Sequence, residues 1–348
     1  HTMSLGKSGG EVCSFQTMKA VSFLLRIPVL TAVAALCACG KVEDTPKTAT
    51  AGAGSGNRPN VVLIVLDTLR ADRLGSYGCE RPTSPRLDAF AAESIRFSQA
   101  WAPSPFTASS HASLFASVYP ATHGIWNKQL VDGKTEMGDL ALSPAAVTLA
   151  EAMQQGGYAT AAIADGGYLS TDRGLDQGFE RFDSRMRGAP DRVDAALRWL
   201  EKDRATDRPF FLFLHTYEVH VPYMPDPADV ARFASDYDGP MRRAYENALA
   251  FTARAQGTRK LQRVQEQFFR PVLQSADLTD EDRAFYIALY EAEVALADRE
   301  IGRFLDQLAA LGLAENTIVV LTADHGEEFW EHGQHGHYQV WRELLHVP

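Results

Sequence analysis

Residues 60–66 read NVVLIVL, and residue 67 is Asp. Pro59 bounds the run on one side and the carboxylate on the other. A short, continuous β-branched and aliphatic run has no polar face to give to water. It reads as a strand buried on both faces, as in a parallel sheet. An ionisable group set directly after such a strand needs a partner. The pattern recurs: residues 209–214 (PFFLFL) lead into His215, and residues 318–322 (IVVLT) lead through Ala323 into Asp324-His325. Residues 158–164 (YATAAIA) are a fourth strand. Helices are predicted over 84–92, with Pro85 in the first turn, and over 112–117, 148–155 and 191–203. A long helix capped by Thr279 runs to about residue 311, where Gly312 stops it. Buried strands alternating with helices predict an α/β fold with a largely parallel sheet. Residues 226–278, rich in Arg, Gln and Ala, read as a helical insertion or cap. Active sites of such sheets collect beyond the C-terminal strand ends.

Composition bounds the function. The chain has 348 residues, 45% hydrophobic and 22% charged, with a net charge of -10. That excludes a disordered chain and a multi-span membrane protein. An acidic chain also does not offer the basic face that nucleic acid requires. Three of the four cysteines, Cys13, Cys37 and Cys39, precede residue 40, so no disulfide framework is expected within one folded chain.

The early residues divide by character. Residues 1–17 read as extra or vector-like sequence, and residues 18–38 as a signal peptide, with Lys19 and Arg26 before a short apolar run. The string Leu36-Cys37-Ala38-Cys39-Gly40 resembles a bacterial lipobox, which implies a lipid on Cys39. Residues 39–58 are small, polar and rich in Gly, Ala and Thr, a flexible tether with a mean reach of about 20–25 Å. The expected location is the bacterial cell envelope, lipid-anchored to a membrane and facing the periplasm or exterior. Residues 59–348 are then the folded domain.

Four strings carry chemistry. Asp67-Thr68 closes the first strand. Thr107-Ala-Ser-Ser-His111 leads into a helix, where backbone N–H groups and the positive dipole end favour anions. His215 and His220 follow the PFFLFL strand. Four of the ten histidines fall between 325 and 337, and with Asp324 they suit a divalent metal or an oxyanion pocket. His332 and His335 taken alone suit surface or structural roles.

The strings NVVLIVLDTLRADRLGSYG, TASSHASLFASVYPATHG, GYATAAIADGGYLS, FLFLHTYEVHVPY and ENTIVVLTADHGEEFWEHGQHGH stand in one order. That set resembles the sulfatase-like members of the alkaline phosphatase superfamily, over about residues 59–348. The resemblance implies a doubly wound α/β fold, a largely parallel central sheet with helices on both faces. It also implies a smaller C-terminal sheet after Val347-Pro348, so the domain is expected to lack that subdomain.

Residue roles follow from the same resemblance. Asp67, Thr107, Asp324 and His325 would hold one divalent ion, Mn, Ca, Mg or Zn. Thr107 would be the nucleophile and form a covalent intermediate. His220 and His337 would hold the oxygens of the transferred group or assist the leaving group. His111, where the family motif has Arg, would bind substrate. Thr107 cannot be oxidised to formylglycine, and Thr68 replaces the second Asp of an Asp-Asp pair. The expected substrate is a small, glycan-linked or lipid-linked phosphate or sulfate ester, cleaved by a hydrolase or passed on by a transferase, with phosphate favoured by Thr107. The alternatives are a sulfatase without formylglycine and a catalytically silent glycan-binding lipoprotein.

Overall fold

The NVVLIVL run forms β1, Asn60–Leu66, at the heart of a five-stranded sheet in the computed structural model. The structure describes residues 58–125, 129–131, 134–136, 141–234, 236–254 and 263–348. The proposed signal peptide, Cys39 and nearly all of the tether lie outside the described residues. All described residues belong to one unit, Gly56–Pro348. Among them no helix is long and apolar enough to cross a membrane.

The other strands are β2 (Ala159–Ala164), β3 (Arg181–Ser184), β4 (Phe210–Thr216) and β5 (Thr317–Thr322). Their order is β3-β2-β4-β1-β5, and every pairing is parallel. The chain leaves β1, builds the sheet on one side, returns through β4 and then crosses to β5. Strand order reverses around β1, which creates a crevice at the C-terminal ends of β1, β4 and β5.

Side chains alternate across the pleat, so each strand feeds two cores. Val62, Ile64 and Leu66 join Leu212 and Leu214 in one; Leu63 and Val65 join Phe211 and Phe213 in the other. Helices cover both faces. On the second face lie α1, Thr107–Ala116, and α2, Leu149–Gln155. On the first face lie α3, Ala189–Arg198, and α4, Asp280–Ala310. Each fully buried Val, Leu, Ile or Phe contributes about 1.5–3 kcal/mol. The α4 start is fixed by a capping box: Thr279 Oγ1 accepts from Asp282 N at 3.1 Å, and Asp282 Oδ2 accepts from Thr279 N at 3.0 Å.

Two expectations needed correction, and one strand was not expected. β5 is not buried on both faces: Ile318 and Val320 are 52% and 44% exposed, because it is the sheet edge. β3 was not foreseen. Its sequence, RFDS, is half charged, and Asp183 is held by Arg185 and by the buried Arg192. Lastly, α1 begins at Thr107 rather than Ala112. Its Ser/Thr-rich first turn reads as a loop in isolation, but Ser110 Oγ donates to the Asp324 carbonyl at 2.7 Å and anchors that turn. The described part of residues 226–278 is largely helical, with helices at Pro227–Phe233 and Pro240–Arg254 among them.

Candidate metal centre

The sheet brings β1 and β5 side by side, so the residues after each strand meet. Asp67 follows β1, and its backbone N donates to Thr216 O of β4 at 3.1 Å. Thr68 then takes a left-handed conformation, with φ of 57°. A β-branched residue pays about 1–3 kcal/mol for that conformation and keeps it only where the surroundings compel it. Here Thr68 N donates to Asp324 Oδ1 at 3.3 Å, Thr68 Oγ1 donates to Val219 O at 2.9 Å, and the Tyr290 hydroxyl donates to Thr68 O at 2.9 Å. The strained turn thus ties the β1 end to Asp324. On the β5 side, Gly326 is required: a Cβ there would sit 2.1 Å from Glu343 O.

Asp67, Asp324 and His325 are all buried, and each offers a ligating atom within 4.8 Å of the others. Among the described residues no other three His, Cys, Asp or Glu side chains converge in this way. Neither Asp67 oxygen, nor Asp324 Oδ2, has a hydrogen-bond partner. Burial, and then Asp324, push the Asp67 carboxyl well above the usual range. Burial also opposes ionisation of Asp324, but His325, His111 and His215 outweigh it and pull its pKa down to about 2. Orphaned carboxylate oxygens with an imidazole beside them are the donor set of a divalent cation. The residues fit the ion.

Thr107 opens α1 beside this trio, its Oγ1 3.5 Å from His325 Nε2 and its hydroxyl against Asp67. The His325 ring is fixed from behind. Its Nδ1 lies 2.9 Å from Gly326 O, and a carbonyl can only accept, so Nδ1 carries the proton and Nε2 presents a lone pair. His220 and His337 follow the same rule. His220 Nδ1 donates to Val221 O at 2.7 Å, and His337 Nδ1 donates to Pro105 O at 3.1 Å. Their rings meet at 5.4 Å, and His337 meets His325 at 4.7 Å. Burial lowers the His220 pKa to about 4 and holds His337 well below the usual range.

His111 sits deeper. It is fully enclosed, its Nδ1 donates to Thr107 O at 2.8 Å, and the same nitrogen lies 3.5 Å from Asp324 Oδ2. Its ring meets Phe115, Phe213 and His215 edge-on. His332 and His335 stand apart: His332 Nε2 meets Glu343 Oε2 at 3.0 Å, and His335 stacks near Trp330.

Two residues outside the expected set belong here. His215 is wholly buried, its Nε2 3.5 Å from Asp67 Oδ2, with no partner for either ring nitrogen. Its signal was the imidazole at the end of an apolar strand. Asp165, next after β2, accepts from Thr216 Oγ1, Tyr217 N, Arg187 N and Gly188 N at 2.7–3.1 Å. It locks the end of β4 from which His220 departs.

The Sulfatase family model matches residues 59–348. The ulvan-active sulfatase of Formosa agariphila is 27% identical over 84% of this chain, which spans 55% of that protein. Human iduronate 2-sulfatase is 24% identical, with 83% of this chain and 58% of that protein covered. Among solved structures, the phosphonate monoester hydrolase of Agrobacterium radiobacter superposes with a TM-score of 0.64 at 21% identity, covering 84% of this chain and 67% of that one. The chain thus spans little more than half the length of these curated relatives. With a family match over the whole described domain, five motifs in order and the fold in agreement, the chain belongs to the Sulfatase family.

Proposed function

We propose that the protein is a metal-dependent enzyme that cleaves sulfate or phosphate esters with Thr107 as its nucleophile. One observation carries this reading. The Thr107 hydroxyl stands at the start of a buried helix, against a trio of metal-type ligands whose Asp67 oxygens and Asp324 Oδ2 accept no hydrogen bond. Asp67, Asp324, His325 and Thr107 would hold the ion. A divalent ion there lowers the pKa of a hydroxyl and neutralises charge on the oxygens of the transferred group.

The chain's own residues supply the rest. Thr107 Oγ1 gives up its proton to one of the neutral histidines and bonds to sulfur or phosphorus, while the bond to the ester's alcohol oxygen breaks and that oxygen takes up a proton. Water then attacks the same sulfur or phosphorus and restores Thr107; an acceptor alcohol in its place would make the enzyme a transferase. In the free protein His220 and His337 are neutral, with Nε2 lone pairs, so they begin as proton acceptors. The charge of an arriving anion favours their protonated forms, which can donate to its oxygens or to the leaving group. His111, spent on Thr107 O and Asp324, acts as a positioning residue. The helix dipole at Thr107 favours the developing negative charge.

The sulfatase relatives support a sulfate ester as substrate. The Thr nucleophile supports phosphate, because it needs no aldehyde modification. The test is a panel of p-nitrophenyl sulfate, phosphate, bis-ester and phosphonate ester, each with Mn, Ca, Mg and Zn. Metal-dependent turnover of at least one ester is expected. No turnover of any ester with any metal overturns the enzyme reading and favours a silent glycan-binding protein. We further propose that the chain is held to a bacterial envelope membrane through Cys39; a Cys39→Ser chain that still partitions with membranes would refute that anchor.

A further inference from the structure

A second cleft, of about 310 Å³, shares His220 with the metal centre. Asp165, Arg187, Tyr217, Glu218, Met224 and Glu293 also line it. Two of its carboxylates face each other from different elements: Glu218 just after β4, and Glu293 on α4. Each spends one oxygen on a backbone amide. Glu218 Oε2 accepts from Ala189 N, the first residue of α3, and Glu293 Oε1 accepts from Met224 N at 2.6 Å. Glu293 is 3% exposed, and its Oε2 meets no N–H or hydroxyl donor; its one carboxyl neighbour is Glu218, with which it can share a single proton.

The surroundings do not neutralise this pair. Asp165 is acidic too, and its oxygens are taken by Thr216, Tyr217, Arg187 N and Gly188 N. Farther out, Asp229 is paired with Arg299 and Arg232, and Glu300 with Arg303, so these arginines are spent there and do not reach the Glu218–Glu293 pair. His220 turns its protonated nitrogen to Val221 O. Among the described residues Arg187 is the only cationic side chain lining the cleft, and it is exposed; the buried Arg192 lies behind Asp165, 3.9 Å from its Oδ1, and pairs with Asp183. Buried like charges without a counter-charge call for a proton or a cation. Burial, and then Glu218, raise the Glu293 carboxyl well above its usual range, in agreement with that geometry.

We infer that this cleft is a subsite for a positively charged amino group of the substrate. It would select esters of amino alcohols or free amino sugars. The inference rests on the ester-cleaving reading above for the word substrate, but not for the binding of the amine. An ammonium offers three donors and needs acceptors of this kind. A bare divalent ion needs a fuller ligand set, and among the described residues three such ligands converge only at Asp67, Asp324 and His325. The cleft adjoins His220, which in turn leads through His337 to His325, so an amine bound here lies on the substrate side of the centre.

The experiment uses the full chain in two arms. In the first, calorimetry titrates glucosamine and ethanolamine against their neutral counterparts, glucose and ethylene glycol, and against K⁺ and Ca²⁺. The amines should bind at least tenfold more tightly than the neutral counterparts. Glu293→Gln and, independently, Glu218→Gln should abolish that difference, each in a protein shown by thermal melting to be folded. Equal binding of amine and neutral compound, or amine binding untouched by both substitutions, overturns the subsite. Displacement of the amine by K⁺ or Ca²⁺ at equal concentration overturns it in favour of an inorganic cation site. In the second arm, glucosamine 6-sulfate and glucose 6-sulfate are compared as substrates. A tenfold preference for the amino ester, lost in Glu293→Gln, supports the subsite; equal turnover of the two esters overturns it. Amine binding without turnover of either ester counts against the ester-cleaving reading and leaves the cation subsite standing.

Discussion

Replacing Asp67 by Asn separates a carboxylate kept for a metal from one kept for the fold. In the metal-free protein Asp67 is fully buried, its oxygens have no partners, and its ligating atom lies within 4.8 Å of that of Asp324. Two full negative charges at that separation repel by about 3.5 kcal/mol at an effective dielectric constant near 20. Burial, and then Asp324, raise the Asp67 pKa, so the charged form of Asp67 is disfavoured there. An amide of the same shape carries no charge to desolvate. Asp67→Asn should therefore stabilise the metal-free protein by about 1–2 kcal/mol. For a domain of this size that raises Tm by about 2–8 °C. Metal reverses the order. At one hundred times its Kd, a ligand stabilises the native state by about 2.7 kcal/mol, and the variant should forgo most of that. Thermal melts in EDTA and in a Mn series measure both effects. A variant that melts below the wild type in EDTA, or that gains as much as the wild type from Mn, would refute the assignment of Asp67 as a ligand.

Other expectations can be checked with the same protein. Gly326→Ala places a methyl 2.1 Å from Glu343 O, so urea melts should show a loss of at least about 3 kcal/mol or no soluble protein. His220 has a folded pKa of about 4, below the unfolded value of about 6.5. The unfolded chain therefore binds its proton first, and stability falls as pH drops from about 6.5 towards 4. His220→Gln should make that fall shallower in metal-free urea melts at several pH values; an unchanged slope would refute the buried, neutral state of His220. Asp165→Asn strips the charge from the acceptor of four hydrogen bonds around β4. It should cost about 2–4 kcal/mol in urea and lower turnover, and a loss below about 0.5 kcal/mol would count against its locking role.

Much of the fold was legible because it is written in apolar runs. NVVLIVL and PFFLFL have no polar face, so they could only be central strands, and the residues after them had to be explained. β3 was illegible because its strand character comes from parallel pairing with β2, and its Asp183 is satisfied by Arg185 and Arg192, contacts that local sequence does not carry. The start of α1 was hidden for a related reason. Ser110 favours a loop on its own, and the Asp324 carbonyl, over 200 residues away, takes up the hydroxyl that would otherwise compete with the helix. In the site, Asp67, Asp324 and His325 announced themselves as charges after strands. His215 sent the same signal, but its partner Asp67 is known only once β1 and β4 pair. The role of Thr68 was unreadable, because it works through its backbone, in a conformation that the residue type disfavours.

The most direct measurement compares turnover of the best ester of the panel by the wild type, Thr107→Ser and Thr107→Ala, at saturating metal. If Thr107 Oγ1 attacks the ester, the serine variant keeps measurable turnover, while the alanine variant loses at least about 10³-fold in kcat. The same kcat for alanine as for the wild type would contradict a threonine nucleophile.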